Sequence, residues 1–314
     1  MDSEFKIFSG NANIDLAKKV CEYLGVPLGD IEVGRFEDGE IKVIINENVR
    51  GKNVYVIQST PPPAENYLEL FIILDALKRA SCESICAITP YYGYGRQDRK
   101  TRGREPISAK LMANLIVASG ATRFVAIDLH AGQIQGFFDI PSDNLSAIPI
   151  FAEYFKNKNL ENIVVVSPDV GGVTRANQLA SRLHAPIVIF AKRREKPDEV
   201  ARMDLVGDVK DKIAIIIDDG IYTGGTLITA TKILLEKGAK KVYAAATHGI
   251  FCNHSLDKLN ESPLEEIIVT DTLRIKNHEK YEKLKVISVA PLIGEAIKRI
   301  QTHSSISELF KWMG

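Results

Sequence analysis

The chain has no excess of charge of either sign, because its 314 residues include 40 lysines and arginines and 40 aspartates and glutamates. A net charge of zero gives no overall attraction to nucleic acid or to an anionic membrane, so any anion site must be built locally. No apolar run approaches the roughly 20 residues that span a bilayer. The start, MDSEFKIFSG, lacks the basic and apolar parts of a signal peptide. We therefore expect a cytoplasmic protein without nucleic-acid or membrane partners.

Cysteine is also scarce, with four residues at Cys21, Cys82, Cys86 and Cys252. So few cysteines in so long a chain do not indicate a disulfide framework, and Cys82 and Cys86 lack a second pair with which to bind zinc. Unpaired cysteines are typical of the reducing cytosol. We expect all four to be reduced thiols that mainly fill space.

The chain does contain a regular alternation of short apolar segments with longer amphipathic ones. The short segments are rich in β-branched residues and end at turn or polar residues, which predicts buried strands. Strands that alternate with helices predict parallel sheets covered by helices on both faces. The predicted strands are FKIFSG, NVYVIQST, SICAITP, RFVAIDLH, NIVVVSPD, PIVIFAK, KIAIIIDD, KVYAAATHG and EIIVTDT, and the predicted helices are Ile14–Leu24, Ala64–Arg79, Ile107–Ala118, Thr174–Leu183, Thr226–Lys237 and Leu292–Ile300.

The strand–helix plan runs twice, and it restarts between Pro141 and Pro149. We therefore predict two similar α/β domains, an N-terminal one over residues 1–146 and a C-terminal one over 147–301, with the tail 302–314 joined to the first. Open parallel sheets bind ligands at the carboxyl ends of their strands. The residues that follow each apolar segment are accordingly the candidates for a functional site.

The most specific of these segments follows the predicted strand KIAIIIDD, which ends in Asp218 and Asp219. A short loop, Thr223–Thr226, then opens a predicted helix. Its two glycines allow backbone N–H groups to converge, and a helix N-terminus adds positive potential, which together predict a phosphate site. The loop is not a P-loop, because the Gly-Lys-Ser/Thr ending is absent. The two carboxylates can accept hydrogen bonds from hydroxyls, so the segment is a candidate site for a sugar phosphate.

A second segment, Tyr91–Lys110, concentrates positive charge in an otherwise neutral protein. It follows the predicted strand SICAITP and contains glycines and tyrosines. Such a cluster suits a polyphosphate, and its tyrosine rings and arginine planes can stack on a base. The basic residues of the segment are Arg96, Arg99, Lys100, Arg102, Arg104 and Lys110.

Both segments resemble known motifs. The loop Asp218–Thr226 resembles the phosphoribosyl-pyrophosphate-binding loop of the phosphoribosyltransferase-like fold. The segment Tyr91–Lys110 resembles the ATP-binding and flexible-loop signature of the ribose-phosphate pyrophosphokinase family. Further segments resemble the same family, in order, along nearly the whole chain. They are Arg35–Glu40, Asp128–His130, Gln133–Asp139, Ser167–Asp169, Gly171–Arg175, Lys192–Arg194 and Ser305–Phe310.

The resemblance implies two phosphoribosyltransferase-like domains and an enzyme that transfers the β,γ-diphosphate of ATP to the 1-hydroxyl of ribose 5-phosphate. It also implies a Mg²⁺ cofactor and a homohexamer whose sites lie across subunit interfaces. Lys192 and Arg194 match the catalytic loop. His130 and Asp169 match the metal positions, and Asp169 is the better direct ligand because Mg²⁺ prefers oxygen.

The same resemblance assigns the residues that contact each substrate. ATP is expected at Phe36, Asp38, Gly39, Glu40, Arg96, Gln97, Asp98, Lys100 and His130. Ribose 5-phosphate is expected at Arg194, Asp218, Asp219, Tyr222, Thr223, Gly224, Gly225 and Thr226.

Three positions depart from the residues that are usual in this family. Tyr222 stands where the ribose-phosphate loop usually has an Asp, and Gly220 stands where an aliphatic residue is usual. Ala191 stands where an Asp often precedes the catalytic Lys. Because Tyr222 removes a carboxylate and adds bulk beside the phosphate site, we expect weakened affinity for ribose 5-phosphate.

Two other functions stay open at this point. A phosphoribosyltransferase, which consumes the activated sugar, shares the Asp218–Thr226 loop but does not account for the basic segment or for two α/β repeats. A non-catalytic regulatory homologue of a synthetase would be expected to lose catalytic residues. This chain keeps Lys192 and Arg194, and Tyr222 is the feature that favours the regulatory function.

Overall fold

The computed structural model describes residues 5–193 and 202–310, which form two compact units. Each unit is built on a mostly parallel sheet with helices between the strands, which confirms the predicted α/β class. No helix among the described residues is long and apolar enough to cross a membrane. Within the described chain, the first unit comprises residues 5–146, 272–274 and 288–310, and the second comprises 147–193, 202–271 and 275–287.

The first unit contains a sheet of five parallel strands. Its elements are β1 (Phe5–Ser9), α1 (Ile14–Leu24), β2 (Ile31–Arg35), β3 (Ile41–Ile45), β4 (Asn53–Ile57), α2 (Glu65–Arg79), β5 (Ser84–Thr89), α3 (Ser108–Ser119), β6 (Arg123–Ile127) and β7 (Ser142–Leu145). The order across the sheet is β1-β4-β5-β6-β7. The central strands β4 and β5 are buried over nearly their whole length, as their apolar sequences predict for parallel strands covered on both faces.

The strands β2 and β3 form a separate antiparallel hairpin. Its apolar side chains Ile31, Val33, Val43 and Ile45 stand at alternate positions and pack against the core of the unit. Successive residues of a strand point to opposite faces, so the other face of the hairpin is left to solvent. The loop that joins the two strands carries residues 36–40, which places this predicted ATP-binding segment at the tip.

The second unit contains a seven-stranded sheet with one antiparallel strand at its edge. Its elements are α4 (Ile148–Asn157), β8 (Ile163–Ser167), α5 (Val173–Leu183), β9 (Ile187–Arg193), β10 (Arg202–Val206), β11 (Ile213–Ile221), α6 (Gly225–Glu236), β12 (Lys241–Gly249), α7 (Ser255–Asn260), β13 (Glu266–Thr270) and β14 (Leu284–Ile287). The order is β10-β9-β8-β11-β12-β13-β14, and β10 is antiparallel to β9. The strand β11 is therefore central, with parallel neighbours on both sides.

A last helix, α8 (Ala290–Gln301), packs on α1 in the first unit. Its apolar residues Ile293 and Ile297 are buried, and Gly294 lies against the ring of Tyr23. A Cβ atom at Gly294 would lie 2.3 Å from the Cδ1 atom of that ring, so only glycine allows this approach. The sequence predicted residues 147–301 as one domain, whereas the structure groups 288–301 with the first unit because the apolar face of α8 meets α1.

Candidate active site

The loop between β11 and α6 has the backbone of an anion site. Gly224, directly before the helix, has a φ of 72°, a left-handed conformation that glycine adopts without strain. Thr223, Gly225 and Thr226 are exposed. The first N–H groups of a helix have no hydrogen-bond partner within the helix, so those of α6 are available to bind a phosphate.

Two adjacent carboxylates lie near the end of β11. Asp219 is buried, Asp218 is 39% exposed, and the Asp219 N–H donates a hydrogen bond to Asp218 Oδ1 at 2.8 Å. Partial burial, followed by the neighbouring Asp219, raises the pKa of Asp218 to about 7, against the lowering effect of the Arg175 guanidinium. Near neutral pH the pair therefore carries less than two full negative charges, which reduces its repulsion of a nearby phosphate.

The end of β8 lies beside β11, because the two strands are parallel neighbours. There the carbonyl of Asp169 accepts the hydroxyl of Ser167 at 2.7 Å, and Asp169 Oδ1 accepts the N–H of Gly172 at 2.9 Å. Arg175, in the first turn of α5, places its guanidinium 3.5 Å from the Asp218 carboxylate. Asp169 and Asp218, which are far apart in sequence, thus belong to the same carboxyl edge of the second unit.

Lys192, one of the two predicted catalytic residues, falls near the end of β9, the neighbour of β8. The backbone of Lys192 belongs to this strand. Its side chain and the whole of Arg194 lie outside the described residues. The catalytic roles of both residues therefore stay predictions.

Tyr222 follows β11 directly and is partly buried. Its carbonyl accepts hydrogen bonds from the N–H of Cys252 at 2.9 Å and from the hydroxyl of Ser255 at 2.8 Å. These two hydrogen bonds connect the start of the loop 223–226 to Cys252 and to Ser255, the first residue of α7. The backbone at Tyr222 is consequently held in place beside Thr223.

In the first unit, the predicted polyphosphate segment follows β5, and its start is tightly folded. Tyr92 is buried, with its hydroxyl bonded to a carbonyl of α3 at 2.7 Å. Gly93 lies against the chain beyond β4, since a Cβ atom there would be 2.1 Å from the Thr60 carbonyl oxygen. The side-chain oxygen of Gln97 accepts the hydroxyl of Ser108 at the start of α3. Gln97 is thus oriented before any ligand binds.

His130 follows β6, the parallel neighbour of β5. A Cβ atom at Gly95 would lie 3.7 Å from the Cβ of His130. Gln133 Nε2 donates to an oxygen of Asp98 at 2.5 Å. The structure therefore brings residues 95–98 and His130 together at the carboxyl ends of two adjacent strands.

The second half of the basic segment forms an exposed loop that Glu105 closes. One carboxylate oxygen of Glu105 accepts the N–H and the hydroxyl of Thr101, both at 2.8 Å, and the N–H of Arg102 at 2.9 Å. These hydrogen bonds, those from Thr101 first, lower the pKa of Glu105 and keep it ionised. The basic residues exposed on this segment are Arg96, Arg99, Lys100, Arg102 and Arg104.

The tip of the β2–β3 hairpin carries the remaining predicted ATP-binding residues. The Phe36 N–H donates to the Glu40 carbonyl at 2.8 Å, and the Glu40 N–H donates to Asp38 Oδ1 at 3.0 Å. The Arg35 guanidinium closes the tip on the Gly39 carbonyl at 3.0 Å. The Phe36 side chain is 52% exposed, which is unusual for a large apolar ring and leaves it open to a ligand or a second chain.

The sequence analysis missed a buried carboxylate, Glu69 in α2, that connects this hairpin to the rest of its unit. Glu69 is 6% exposed and accepts the N–H and the Nδ2 of Asn11, at 3.0 and 3.1 Å, and the Nε2 of Gln58 at 3.1 Å. Asn11 Nδ2 also donates to the Val33 carbonyl in β2 at 3.0 Å. The available signal was an acidic residue in the middle of the apolar face of α2.

Comparison with known proteins finds similar sequences that extend over nearly the whole length of the chain. Residues 5–120 match a family described as the N-terminal domain of ribose phosphate pyrophosphokinase, and residues 192–311 match the phosphoribosyl synthetase-associated domain. Proteins named ribose-phosphate pyrophosphokinase from Bacillus subtilis and Thermotoga maritima are each 52% identical to this chain; the matches cover 98% of this chain in both cases, and 98% and 99% of those relatives.

A solved structure agrees with these relatives. The crystal structure of phosphoribosylpyrophosphate synthetase from Mycobacterium smegmatis superposes with a TM-score of 0.90 at 41% identity, covering 96% of this chain and 100% of that one. A match of this extent and identity establishes common descent and a common fold. This chain belongs to the ribose-phosphate pyrophosphokinase family.

Proposed function

We propose that the chain transfers the β,γ-diphosphate of ATP to the 1-hydroxyl of ribose 5-phosphate, giving phosphoribosyl pyrophosphate and AMP. The observation that carries this proposal is the identity of about half of all positions, over nearly the full length, with proteins named for that reaction. The loop at Asp218–Thr226 supports it, because hydroxyl acceptors stand next to a helix N-terminus that suits a phosphate.

In the proposed complex, the second unit binds the sugar. The backbone N–H groups of Thr223, Gly224, Gly225 and Thr226 hold the 5-phosphate. Asp218 and Asp219 accept hydrogen bonds from the ribose hydroxyls, and Tyr222 and Arg194 complete the site. Arg175, 3.5 Å from Asp218, orients that carboxylate.

The first unit supplies the proposed ATP site. Arg96 and Lys100 neutralise the phosphates, and their exposed positions suit a polyanion. Gln97 and Asp98 are held by hydrogen bonds from Ser108 and Gln133, so they are oriented without ATP. The other proposed ATP contacts are Phe36, Asp38, Gly39, Glu40 and His130.

The residues fit a Mg²⁺ ion that is bound mainly through substrate phosphates. Among the described residues there is no group of three or more acidic, histidine or cysteine side chains that could form a closed metal site. Mg²⁺ commonly keeps several waters and binds to one or two carboxylates plus phosphates. Asp169 would hold the ion directly, since a backbone N–H fixes one of its oxygens, and His130 would act through water or a phosphate. The ion would supply charge neutralisation at the phosphates.

The chemistry is attack by the ribose 1-hydroxyl on the β-phosphorus of ATP, with AMP as the leaving group. Phosphoryl transfer passes through a loose transition state, so the protein contributes mainly positioning and charge stabilisation. We assign Lys192 and Arg194 to stabilise the charge on the transferring diphosphate. Removing one well-aimed donor commonly costs roughly 100- to 1,000-fold in rate.

The proposal also covers the domain boundaries, the oligomeric state and the cellular compartment. The functional domains are an N-terminal ATP domain from residue 1 to 146 and a C-terminal ribose-phosphate domain that starts at 147. The assembly is a homohexamer, supported by the exposed Phe36 at the hairpin tip. The compartment is the cytoplasm, supported by the four free cysteines.

A coupled assay for AMP release tests the function. AMP should form from ATP only when ribose 5-phosphate is present. Consumption of phosphoribosyl pyrophosphate with a base, in place of AMP release, would identify a phosphoribosyltransferase. No turnover in either assay would favour the regulatory homologue and overturn the proposal.

A further inference from the structure

Gly220, the next-to-last residue of β11, lies under the ring of Tyr222. Gly220 is buried, and a Cβ atom there would lie 3.2 Å from Cε2 of that ring and 2.9 Å from Cδ1 of Ile250. It would also lie 3.4 Å from the carbonyl oxygen of His248. Carbon atoms in favourable contact are about 3.5–4.0 Å apart. The ring of Tyr222 and the end of Ile250 therefore occupy the space that a side chain at position 220 would need.

The backbone offers no easy relief from such a clash. Side chains two residues apart in extended chain point to the same face, so positions 220 and 222 compete for one space. The Tyr222 carbonyl is fixed by the Cys252 N–H and the Ser255 hydroxyl. On the other side, β12 pairs with β11 at Gly220 and His248. A side chain at 220 must therefore displace the end of Ile250 or the ring of Tyr222, and Tyr222 is the residue directly before the loop 223–226.

We infer that Gly220 and Tyr222 act as one unit, in which Gly220 is a positioning residue that seats the Tyr222 ring on β11 and keeps it clear of the phosphate loop. This inference rests on the proposed function, because it concerns the affinity of that loop for ribose 5-phosphate. The two departures from the usual family residues, which are separate in the sequence, are joined here by a direct contact. If the inference is correct, a side chain at 220 should weaken ribose 5-phosphate binding only when the Tyr222 ring is present.

A double-mutant cycle measures this coupling. The four proteins are the parent, Gly220→Val, Tyr222→Asp and the double variant, each titrated calorimetrically with ribose 5-phosphate and assayed for AMP release. Gly220→Val should weaken ribose 5-phosphate binding roughly tenfold in the parent and less than about twofold in the Tyr222→Asp background, the size expected for residues in contact. The Michaelis constant for ATP should stay constant in all four. Equal factors in the two backgrounds would overturn the inference.

Two further variants separate seating of the ring from general damage to the sheet. Gly220→Ala adds a single carbon and should still weaken ribose 5-phosphate binding by about twofold, even if the valine variant folds poorly. Ile250→Ala removes the other close neighbour, and in that background Gly220→Val should keep its effect. Loss of the effect there, or a lower melting temperature with unchanged ribose 5-phosphate affinity, would assign Gly220 a packing role and end the inference.

The parent protein separates this inference from the proposed function. If the parent binds ribose 5-phosphate but releases no AMP, the proposed reaction is contradicted, but the double-mutant cycle of binding can still be measured. AMP release with additive binding effects contradicts the seating of Tyr222 alone. A parent that does not bind ribose 5-phosphate contradicts both.

Discussion

In the proposed complex, the protonation of Asp218 determines how strongly its carboxyl group accepts a hydrogen bond from a sugar hydroxyl. Its pKa is raised to about 7, first by partial burial and second by the neighbouring Asp219. A carboxyl group with a raised pKa is neutral below that pH and becomes a carboxylate above it. A carboxylate accepts hydrogen bonds more strongly than a neutral carboxyl group does. Affinity for ribose 5-phosphate should therefore increase as the pH rises through this range.

We expect the Michaelis constant for ribose 5-phosphate to fall about fivefold between about pH 6 and about pH 8, the size of one net hydrogen bond. The substrate's phosphate also titrates at about pH 6, so the profile is measured in parallel with Asp218→Asn, which cannot titrate at this position. The variant should keep only the dependence that belongs to the substrate. Identical profiles for the two proteins would show that Asp218 is not the titrating group.

Tyr222→Asp tests whether the tyrosine weakens sugar binding. The backbone N–H groups of residues 223–226 can bind the phosphate whichever side chain stands at 222. An Asp can accept a hydrogen bond or orient water, whereas a phenol is bulkier and has a donor of its own. We expect a lower Michaelis constant for ribose 5-phosphate, by a factor that corresponds to about 1 kcal/mol, with ATP unaffected. An unchanged or higher constant would identify Tyr222 as an adapted ligand.

Lys192→Ala tests the proposed charge stabilisation at the end of β9. Because the ammonium group is needed mainly when charge develops on the transferring diphosphate, turnover should fall by roughly 100- to 1,000-fold. The Michaelis constant for ATP should change little. Lys232→Ala, which removes an exposed lysine on α6, is the matched control and should behave like the parent. Near-normal turnover in the Lys192 variant would remove this residue from the mechanism.

At the scale of elements, the buried Glu69 holds α2, β4, the loop after β1 and the hairpin in one hydrogen-bonded group. Its three donors come from two residues, Asn11 and Gln58, and all three are neutral amides. Of the two donor residues, Gln58 is buried and Asn11 is exposed, and a buried donor that loses its acceptor costs the full desolvation of that group. The network therefore stabilises the base of the hairpin, whose tip is part of the proposed ATP site.

Glu69→Ala should lower the free energy of unfolding by about 3 kcal/mol, since it removes one acceptor of the buried Gln58 amide, the acceptor of Asn11 and buried side-chain volume. Glu69→Gln keeps the volume and one acceptor oxygen, so its loss should be smaller. Glu22→Ala, at an exposed position of α1, serves as the control and should stay within about 0.5 kcal/mol of the parent. Urea unfolding measures all three variants, and equal values for Glu69→Ala and Glu22→Ala would contradict the role of the network.

The elements that the sequence predicted well are those with long, regular patterns. The prediction Ile14–Leu24 matches α1 residue for residue, because Gly25, with a φ of 67°, ends the helix where the apolar spacing stops. The hairpin β2–β3 was not predicted, since its strands are five residues each and half exposed. The strand β10 was also missed, because it is a short edge strand that pairs on one side with β9.

For the whole molecule, the sequence predicted that Asp169, Asp218 and His130 lie at the carboxyl edges of the sheets, because each comes at the end of an apolar segment. It did not predict that α8 joins the first unit, since an amphipathic helix shows that it has an apolar face but not which partner covers that face. The contact between Gly220 and Tyr222 could not be predicted from the sequence either. A ring direction depends on the tertiary surroundings and not on the local pattern.

The described surface of the first unit carries apolar side chains on two helices that pack together. Leu68 and Ile72 of α2 are 50% and 36% exposed, and Leu111 and Leu115 of α3 are 52% and 38% exposed. Exposed apolar side chains that cluster on one surface are typical of contact surfaces between proteins. This surface supports the proposed self-association, independently of Phe36 at the hairpin tip.

Dilution tests whether the proposed homohexamer is required for activity. If a neighbouring subunit completes the ATP site, separation of the subunits must remove ATP contacts from every site at once. Activity per subunit should then fall steeply over the concentration range in which light scattering shows the mass decrease to that of one chain, because association depends on concentration. Saturating ATP should shift this range to lower protein concentration, since a ligand held by two subunits also holds the subunits together. A monomer that retains full activity would show that one chain binds ATP without a partner.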